Sequence, residues 1–479
     1  GRVIHGEAFD RFGITKALGG DANDHGPNGV LDVTGNLLRT GNPVGTHDTH
    51  GWPTFAGWPT FDTNTHQQAY YVWLKRMWMA GMRILVAQVI EDEPLCRLEP
   101  LRSHSCNETE TVKLSVARLR GLQDYVDAQS GGRGRGWLKL VSDPRSARQA
   151  IEQGKLAVLI GVESSNPFGC SVFRGLARCT RDDVDRGIAL YRSLGISGMF
   201  ITHWVDNAFA GAALEGGDKG LFISTFEVIQ TGSFFATEQC PEAGQGEEPQ
   251  ATLPAALAGF FEPLGPVLAG NAPVYPPGKQ CNARGLTPLG EYVVKRLMDN
   301  HMLIEADHLS EKARLRVLDM AEARHYPLVS SHTGTGGPWS DSTLRRLFKL
   351  GGFATATPAP AAQLANSIRH FEAYRAKGKR LGVGIGTDTG GFSSLPGPDT
   401  TPGHVPLPYP FRSYDGHVTF ERQRTGDRVF DYNRDGVAHY GLFADLLADT
   451  ARQPGGEEAL RLLFRSAEAY LRMWERAAI

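Results

Sequence analysis

Six residues of two chemical kinds, His47, Glu163, His203, His308, His332 and Asp388, each close a short run of β-forming apolar residues. Imidazoles and carboxylates in this mixture are ligands for Zn²⁺ or a similar divalent ion, and three or four protein ligands with an open position make a catalytic centre. The chemistry such a centre offers is a bound water whose pKa drops from about 15.7 towards about 7, and a polarised carbonyl. Asp388, at the end of the last run, is placed to take the water proton and hand it to a leaving group. A single His at a strand end is more often a hydrogen-bonded core residue than a ligand. Six ligand-type residues in matching positions point instead to one shared site.

Residues so far apart in the chain need a scaffold that gathers them. The candidate strands are 43–47, 82–89, 156–163, 196–203, 302–308, 327–332, 352–357 and 381–388. Helical periodicity lies between them, at 66–80, 181–194, 289–300, 310–324, 342–350 and 361–376, with a last amphipathic stretch over 457–475. Strands separated by helices pair in parallel, because a parallel neighbour needs a crossover. The reading is therefore an α/β fold, a (β/α)8 barrel of the TIM type, whose strands all point their C-terminal ends at one mouth. Residues 1–43, rich in Gly, Asp and Asn, read as an irregular N-terminal segment, and 44–479 as the barrel. Long insertions at about 206–284 and 390–436 belong to loops of the C-terminal face.

Composition narrows the partners. Fifty Lys and Arg against 52 Asp and Glu, with no basic run, argue against nucleic acid and anionic membrane surfaces and for a small, roughly neutral substrate. No apolar run approaches the roughly 20 residues of a membrane span. The chain opens at Gly1 without a signal-like region, so a processed product or an excised domain is expected. Six cysteines fall as Cys96 with Cys106, Cys170 with Cys179, and Cys240 with Cys281, and none forms a CxxC pattern. Three disulfides in an oxidising compartment are expected, hence a secreted or periplasmic protein. Oligomeric state is not legible.

The strand ends resemble the renal or membrane dipeptidase family (peptidase family M19) of the amidohydrolase superfamily. Val162-Glu163 is similar to that family's bridging glutamate motif, and 286–290 (LTPLG) followed by 302–310 (MLIEADHLS) to its fifth strand and His. Val329-Ser330-Ser331-His332 resembles the next His, Gly384-Ile385-Gly386-Thr387-Asp388 the eighth-strand aspartate, and Thr202-His203 with Asp206-Asn207 the substrate-binding His region. The resemblance implies that Glu163 bridges two metals, with His308 and His332 on one and His47 and Asp388 on the other. It also implies that His203 polarises the substrate carbonyl, beside Asp206 and Asn207.

Two departures bear on that transfer. Where the family has His, a spacer and Asp, this chain has Thr49 in the aspartate position of Thr46-His47-Asp48-Thr49-His50. Either Asp48 or His50 replaces the missing ligand, or one ion is bound by Glu163, His308 and His332 alone. The family's carboxylate-clamping Arg is also absent from 333–339 (TGTGGPW), which argues against ordinary dipeptides and for a larger or less charged molecule. The expected function is a Zn²⁺-dependent hydrolase of an amide or peptide-like bond. Alternatives are a lactone, ester or phosphoester hydrolase on the same barrel, or a binding module that has lost turnover.

Overall fold

The run LAVLIGVES (Leu156–Ser164) is buried at every position, as the centre of a parallel sheet covered on both faces requires. The computed structural model describes residues 18–98, 104–242, 245–249, 273–332, 339–374, 381–391 and 393–479. Its main sheet holds eight parallel strands: β1 (Ile84–Glu91), β2 (Leu138–Val141), β3 (Leu156–Ser164), β4 (Ile196–Phe200), β5 (Leu303–Glu305), β6 (Val329–Ser330), β7 (Phe353–Ala356) and β8 (Gly384–Ile385). The ladder runs β1-β3-β4-β5-β6-β7-β8. The short β2 pairs Leu156–Leu159 of β3 on the edge that β4 takes up from Ile160 onward. Helices separate consecutive strands, among them Glu108–Gln129, Pro144–Glu152, Arg181–Leu194, Glu311–Arg324, Asp341–Lys349 and Ala361–His370. This is a (β/α)8-type barrel, curled but not sealed.

Local chemistry explains the helices. Arg181–Leu194 starts with a capping box between Thr180 and Asp183 and stops at Gly195, whose left-handed backbone (φ 83) suits a glycine. Val184, Gly187, Ile188 and Tyr191 put one face in the core, the spacing of an amphipathic helix. The stretch read as one helix over 457–475 is two, Gly456–Leu463 and Ser466–Ala477, with a turn at Phe464 and Arg465.

The barrel differs from expectation at its start. Residues 43–47 form no strand: Pro43 has no N–H for a ladder, Gly45 favours none, and Val44 is 77% exposed. The first barrel strand is β1 instead, and LKLV of β2 supplies a strand that sequence periodicity missed. Among the described residues no ladder joins β1 to β8, so Ile84 to Gln88 stay half-buried along that seam. The insertion at 206–284 is not all loop, since Gly217–Thr231 is a helix, while 250–272 lies outside the described residues.

Candidate metal centre

Glu163, near the end of β3, points its Oε1 at three imidazoles. His308 Nε2 stands 3.2 Å away, His203 Nε2 3.4 Å and His332 Nε2 3.5 Å. All four side chains are buried, and Phe200 packs its ring against those of His308 and His332. The Nε2 atoms of His308 and His332 face each other at 2.6 Å. Burial, together with the neighbouring His203 and His332, pushes His308 well below the ordinary imidazole range, so its ring is neutral and offers a lone pair.

Asp388 follows β8 and lines the same cavity as Glu163 and His332. Its backbone is left-handed (φ 45), as is that of His308 (φ 62), a conformation that costs a non-glycine residue roughly 1–3 kcal/mol. A Cβ on Gly391 would lie 2.0 Å from Asp388 Oδ1, so only glycine leaves that carboxylate its place. Burial raises the Asp388 carboxyl and the Glu163 charge adds to it, against His332.

Carboxylates behind the imidazoles set their orientation. His203 Nδ1 lies 3.0 Å from Asp92 Oδ2, and Ser165 donates its hydroxyl to the other Asp92 oxygen. Burial opposes a charged His203, but Asp92 and Glu163 outweigh it and carry the ring to about 9. Asp307, fully buried, accepts hydrogen bonds from the His332 backbone N–H (3.0 Å), the Ser330 hydroxyl (2.8 Å) and Trp339 Nε1 (2.7 Å). A cavity of about 520 Å³ opens from this centre along the seam between β1 and β8.

Other expected residues sit elsewhere. His47 is not at a strand end: its Nε2 is 2.8 Å from Asp21 Oδ2 and 2.9 Å from His66 Nε2, in a separate cluster completed by His25. Asp48 and His50, the suggested replacement ligands, pair with each other on the surface at 2.7 Å, with 42% and 82% of their side chains exposed. Asp206 and Asn207 are bound into the loop after β4. Asn207 donates to the carbonyls of Ser165 and Ile201 and accepts from the N–H groups of Phe209 and Ala210, which uses its whole hydrogen-bonding capacity. Asp206 Oδ1 accepts from Ala212 N–H and Asn282 Nδ2. Residues 333–338 lie outside the described residues; Trp339 is buried against Arg314. The three disulfides join Cys96 to Cys106, Cys170 to Cys179 and Cys240 to Cys281.

Asp92 and Asp307 escaped the sequence reading. Asp92 follows β1, which runs two residues past the expected end, so the same strand-end rule would have found it. Asp307 is the residue before His308, and a carboxylate beside a ligand-type His is itself a signal. Asp21 and His25 come from a stretch without periodicity, and His66 opens the periodic stretch 66–80 but precedes the helix, which is Tyr71–Met79; none carries such a mark.

No protein-family model and no curated protein sequence matches the chain. Among solved structures it is similar to an amidohydrolase from Pseudomonas aeruginosa, at 14% identity over 84% of this chain and 91% of that one, with a TM-score of 0.44. A dipeptidase described as a metallopeptidase of family M19 is similar at 13% identity over 84% and 88%, TM-score 0.46. A metallopeptidase from Rhodobacter sphaeroides, liganded with a phosphinate mimic of the dipeptide L-Ala-D-Ala, is similar at 14% identity over 83% and 80%, TM-score 0.41. The functional reading rests on the geometry of the centre itself.

Proposed function

We propose that the chain is a metal-dependent hydrolase acting on an amide or peptide-like bond of a small substrate, with Glu163, His308 and His332 as the core of the metal centre. The observation that carries this is the spacing about Glu163 Oε1. Ligand atoms bonded tetrahedrally at about 2.0–2.2 Å lie roughly 3.3–3.5 Å from one another. Of the two proposed imidazole ligands, His308 Nε2 stands 3.2 Å and His332 Nε2 3.5 Å from that oxygen, spacings that fit a divalent ion, and the 2.6 Å between the two nitrogens has to widen to admit it. Zn²⁺ suits a donor set of imidazole and carboxylate. When bound, the ion supplies a water acidic enough to attack at neutral pH and an electrophile for the carbonyl.

The chain's own residues do the rest. Asp388, raised above the usual carboxylate range and facing the cavity, accepts the proton of the attacking water and returns it to the leaving amine. His203, held as imidazolium by Asp92, donates from Nε2 to the developing oxyanion. Apolar walls along the seam favour a substrate with a hydrophobic portion. The disulfides fit a secreted or periplasmic setting, and no helix among the described residues is long and apolar enough to cross a membrane.

Elemental analysis of the isolated protein, joined to a panel of amides, lactones, esters and phosphoesters, tests the reading. Stoichiometric metal with amide turnover that Asp388→Asn abolishes is the expected result. Protein that holds no divalent ion at the Glu163 centre ends the proposal, and turnover of lactones or phosphoesters alone changes the bond.

A further inference from the structure

Asp21, His25, His47 and His66 reach one point from separate stretches of the N-terminal region, and their donor atoms all lie within 4.8 Å of one another. Asp21 Oδ2 is 2.8 Å from His25 Nδ1 and 2.8 Å from His47 Nε2, and His66 Nε2 lies closer still. Their side chains are 10%, 1%, 6% and 1% exposed, in that order. Burying three imidazoles and a carboxylate costs desolvation that apolar residues would avoid. A neutral imidazole has one N–H and one lone pair, yet three rings converge on a single carboxylate oxygen and two of their nitrogens face each other at 2.9 Å. Hydrogen bonding alone uses such an arrangement poorly.

A second carboxylate backs the cluster. Asp32, 1% exposed, has Oδ1 3.7 Å from His25 Nε2 and Oδ2 3.7 Å from His47 Nδ1. The same Oδ2 accepts from the Thr65 hydroxyl at 3.1 Å, and that hydroxyl is 3.2 Å from His66 Nδ1. Asp32 thus stands behind all three rings, on the nitrogens turned away from Asp21. This is how outer carboxylates orient metal-bound imidazoles and make them more basic. Gly29, with φ 69, leaves space for the His47 ring, which a Cβ there would meet at 2.2 Å.

We propose that Asp21, His25, His47 and His66 form a second divalent-cation site, separate from the Glu163 centre. Three imidazoles and one carboxylate, none more than 10% exposed, supply the four protein ligands that a structural Zn²⁺ site uses in place of an open water position. The two positive charges of the ion meet one negative charge from Asp21 and one from Asp32, while the Arg39 guanidinium borders the same group, 3.6 Å from Asp32 Oδ2 and 3.4 Å from His47 Nδ1. The function of the site is to fasten the segment from Leu18 to His66, built of loops and the short helices Ala22–His25, Pro27–Gly29 and Val33–Thr40, at the barrel mouth, where His66 borders the cavity shared with Glu163 and Asp388.

The test titrates metal-stripped full-length protein with Zn²⁺ alone, and with Co²⁺ as a spectroscopic probe. In His308→Ala/His332→Ala, which removes the other centre, one equivalent of tight Zn²⁺ binding, a tetrahedral Co²⁺ spectrum and a Zn²⁺-dependent rise in Tm are expected. His25→Ala/His66→Ala loses that equivalent. Asp32→Asn keeps all four ligands and weakens the same equivalent about 10–100-fold. Absence of Zn²⁺ binding and of any Tm rise in His308→Ala/His332→Ala overturns the proposal, leaving a hydrogen-bonded network. Unchanged Zn²⁺ affinity in Asp32→Asn for every equivalent bound overturns it as well, whether or not the double variants fold.

Discussion

His203 Nδ1 and Asp92 Oδ2 meet at 3.0 Å, which fixes the ring so that its other nitrogen, Nε2, faces Glu163. Both groups are buried, and the bond joins the end of β1 to the loop after β4 across β3, the strand between them in the ladder. An imidazole so tethered differs from His308 and His332, whose Nε2 atoms face each other. In the function proposed above, the pair separates two tasks within one ring of histidines: metal ligation by His308 and His332, and charge stabilisation by His203.

Asp92→Asn should therefore act on turnover more than on substrate binding. Removing the carboxylate lets burial lower the His203 pKa from about 9, so the ring is neutral over more of the working range. A kcat loss of about 10–100-fold with a smaller change in KM is expected. The alkaline limb of the pH–rate profile should move to lower pH. An unchanged profile with unchanged kcat would show that His203 needs no partner.

Asp307 predicts a different signature. It accepts from the His332 backbone N–H, the Ser330 hydroxyl and Trp339 Nε1, so Asp307→Ala takes the acceptor from three donors and frees His332 to turn. Zn²⁺ affinity at the Glu163 centre should fall about 10–100-fold, read by competition with a chelating dye. Stability should fall by roughly 1–3 kcal/mol for each orphaned buried group. Native affinity in a folded variant would remove Asp307 from the centre.

Strand ends were legible because parallel strands buried on both faces are apolar runs, and the polar residue that closes each run stands out. Glu163, His308 and His332 were found in this way without knowledge of their distances. The rule failed at His47, where Thr46 and Val44 imitate a strand but Pro43 and Gly45 cannot sustain a ladder. It also missed β2, whose four residues include Lys139 and lie between two helices, too short for periodicity to register. The cluster around Asp21 was invisible for another reason. Asp21 and His25 share the helical turn Ala22–His25, but His47 and His66 come from loops, and their convergence on that turn follows from tertiary packing that no spacing in the chain encodes.

The Cys240–Cys281 bridge closes a span of 41 residues inside the insertion and ties its end, Cys281–Asn282, back to Cys240. In the chain-entropy account a loop of this length contributes about 4 kcal/mol by restricting the unfolded chain. Cys240→Ser/Cys281→Ser should lose a comparable amount in denaturant unfolding. Asn282, next to Cys281, donates to Asp206, so the insertion should also become more sensitive to proteolysis. Stability equal to that of the unaltered protein would mean the insertion is anchored by its hydrogen bonds alone.

Glu108 sets a pH dependence of folding that can be measured apart from the metal centre. Burial carries its carboxyl to about 8 from an ordinary 4.5, and the Asp92 charge adds to the rise. Hydrogen bonds from the N–H groups of Asn166 (2.7 Å) and Glu93 (3.3 Å) oppose it. A raised carboxyl binds its proton more tightly in the folded chain than in the unfolded one. Its stabilising contribution is therefore complete below 4.5 and is lost as pH climbs through about 8. One such group gives a slope approaching about 1.4 kcal/mol per pH unit inside that window. Glu108→Gln removes the titration and leaves one of the two N–H groups without its acceptor. The variant should be less stable than the unaltered protein near pH 5 and should lose less as the pH rises, so the two unfolding curves converge towards pH 8. Parallel curves across the window would mean that Glu108 is ionised throughout, its charge held by the two backbone donors against the cost of burial.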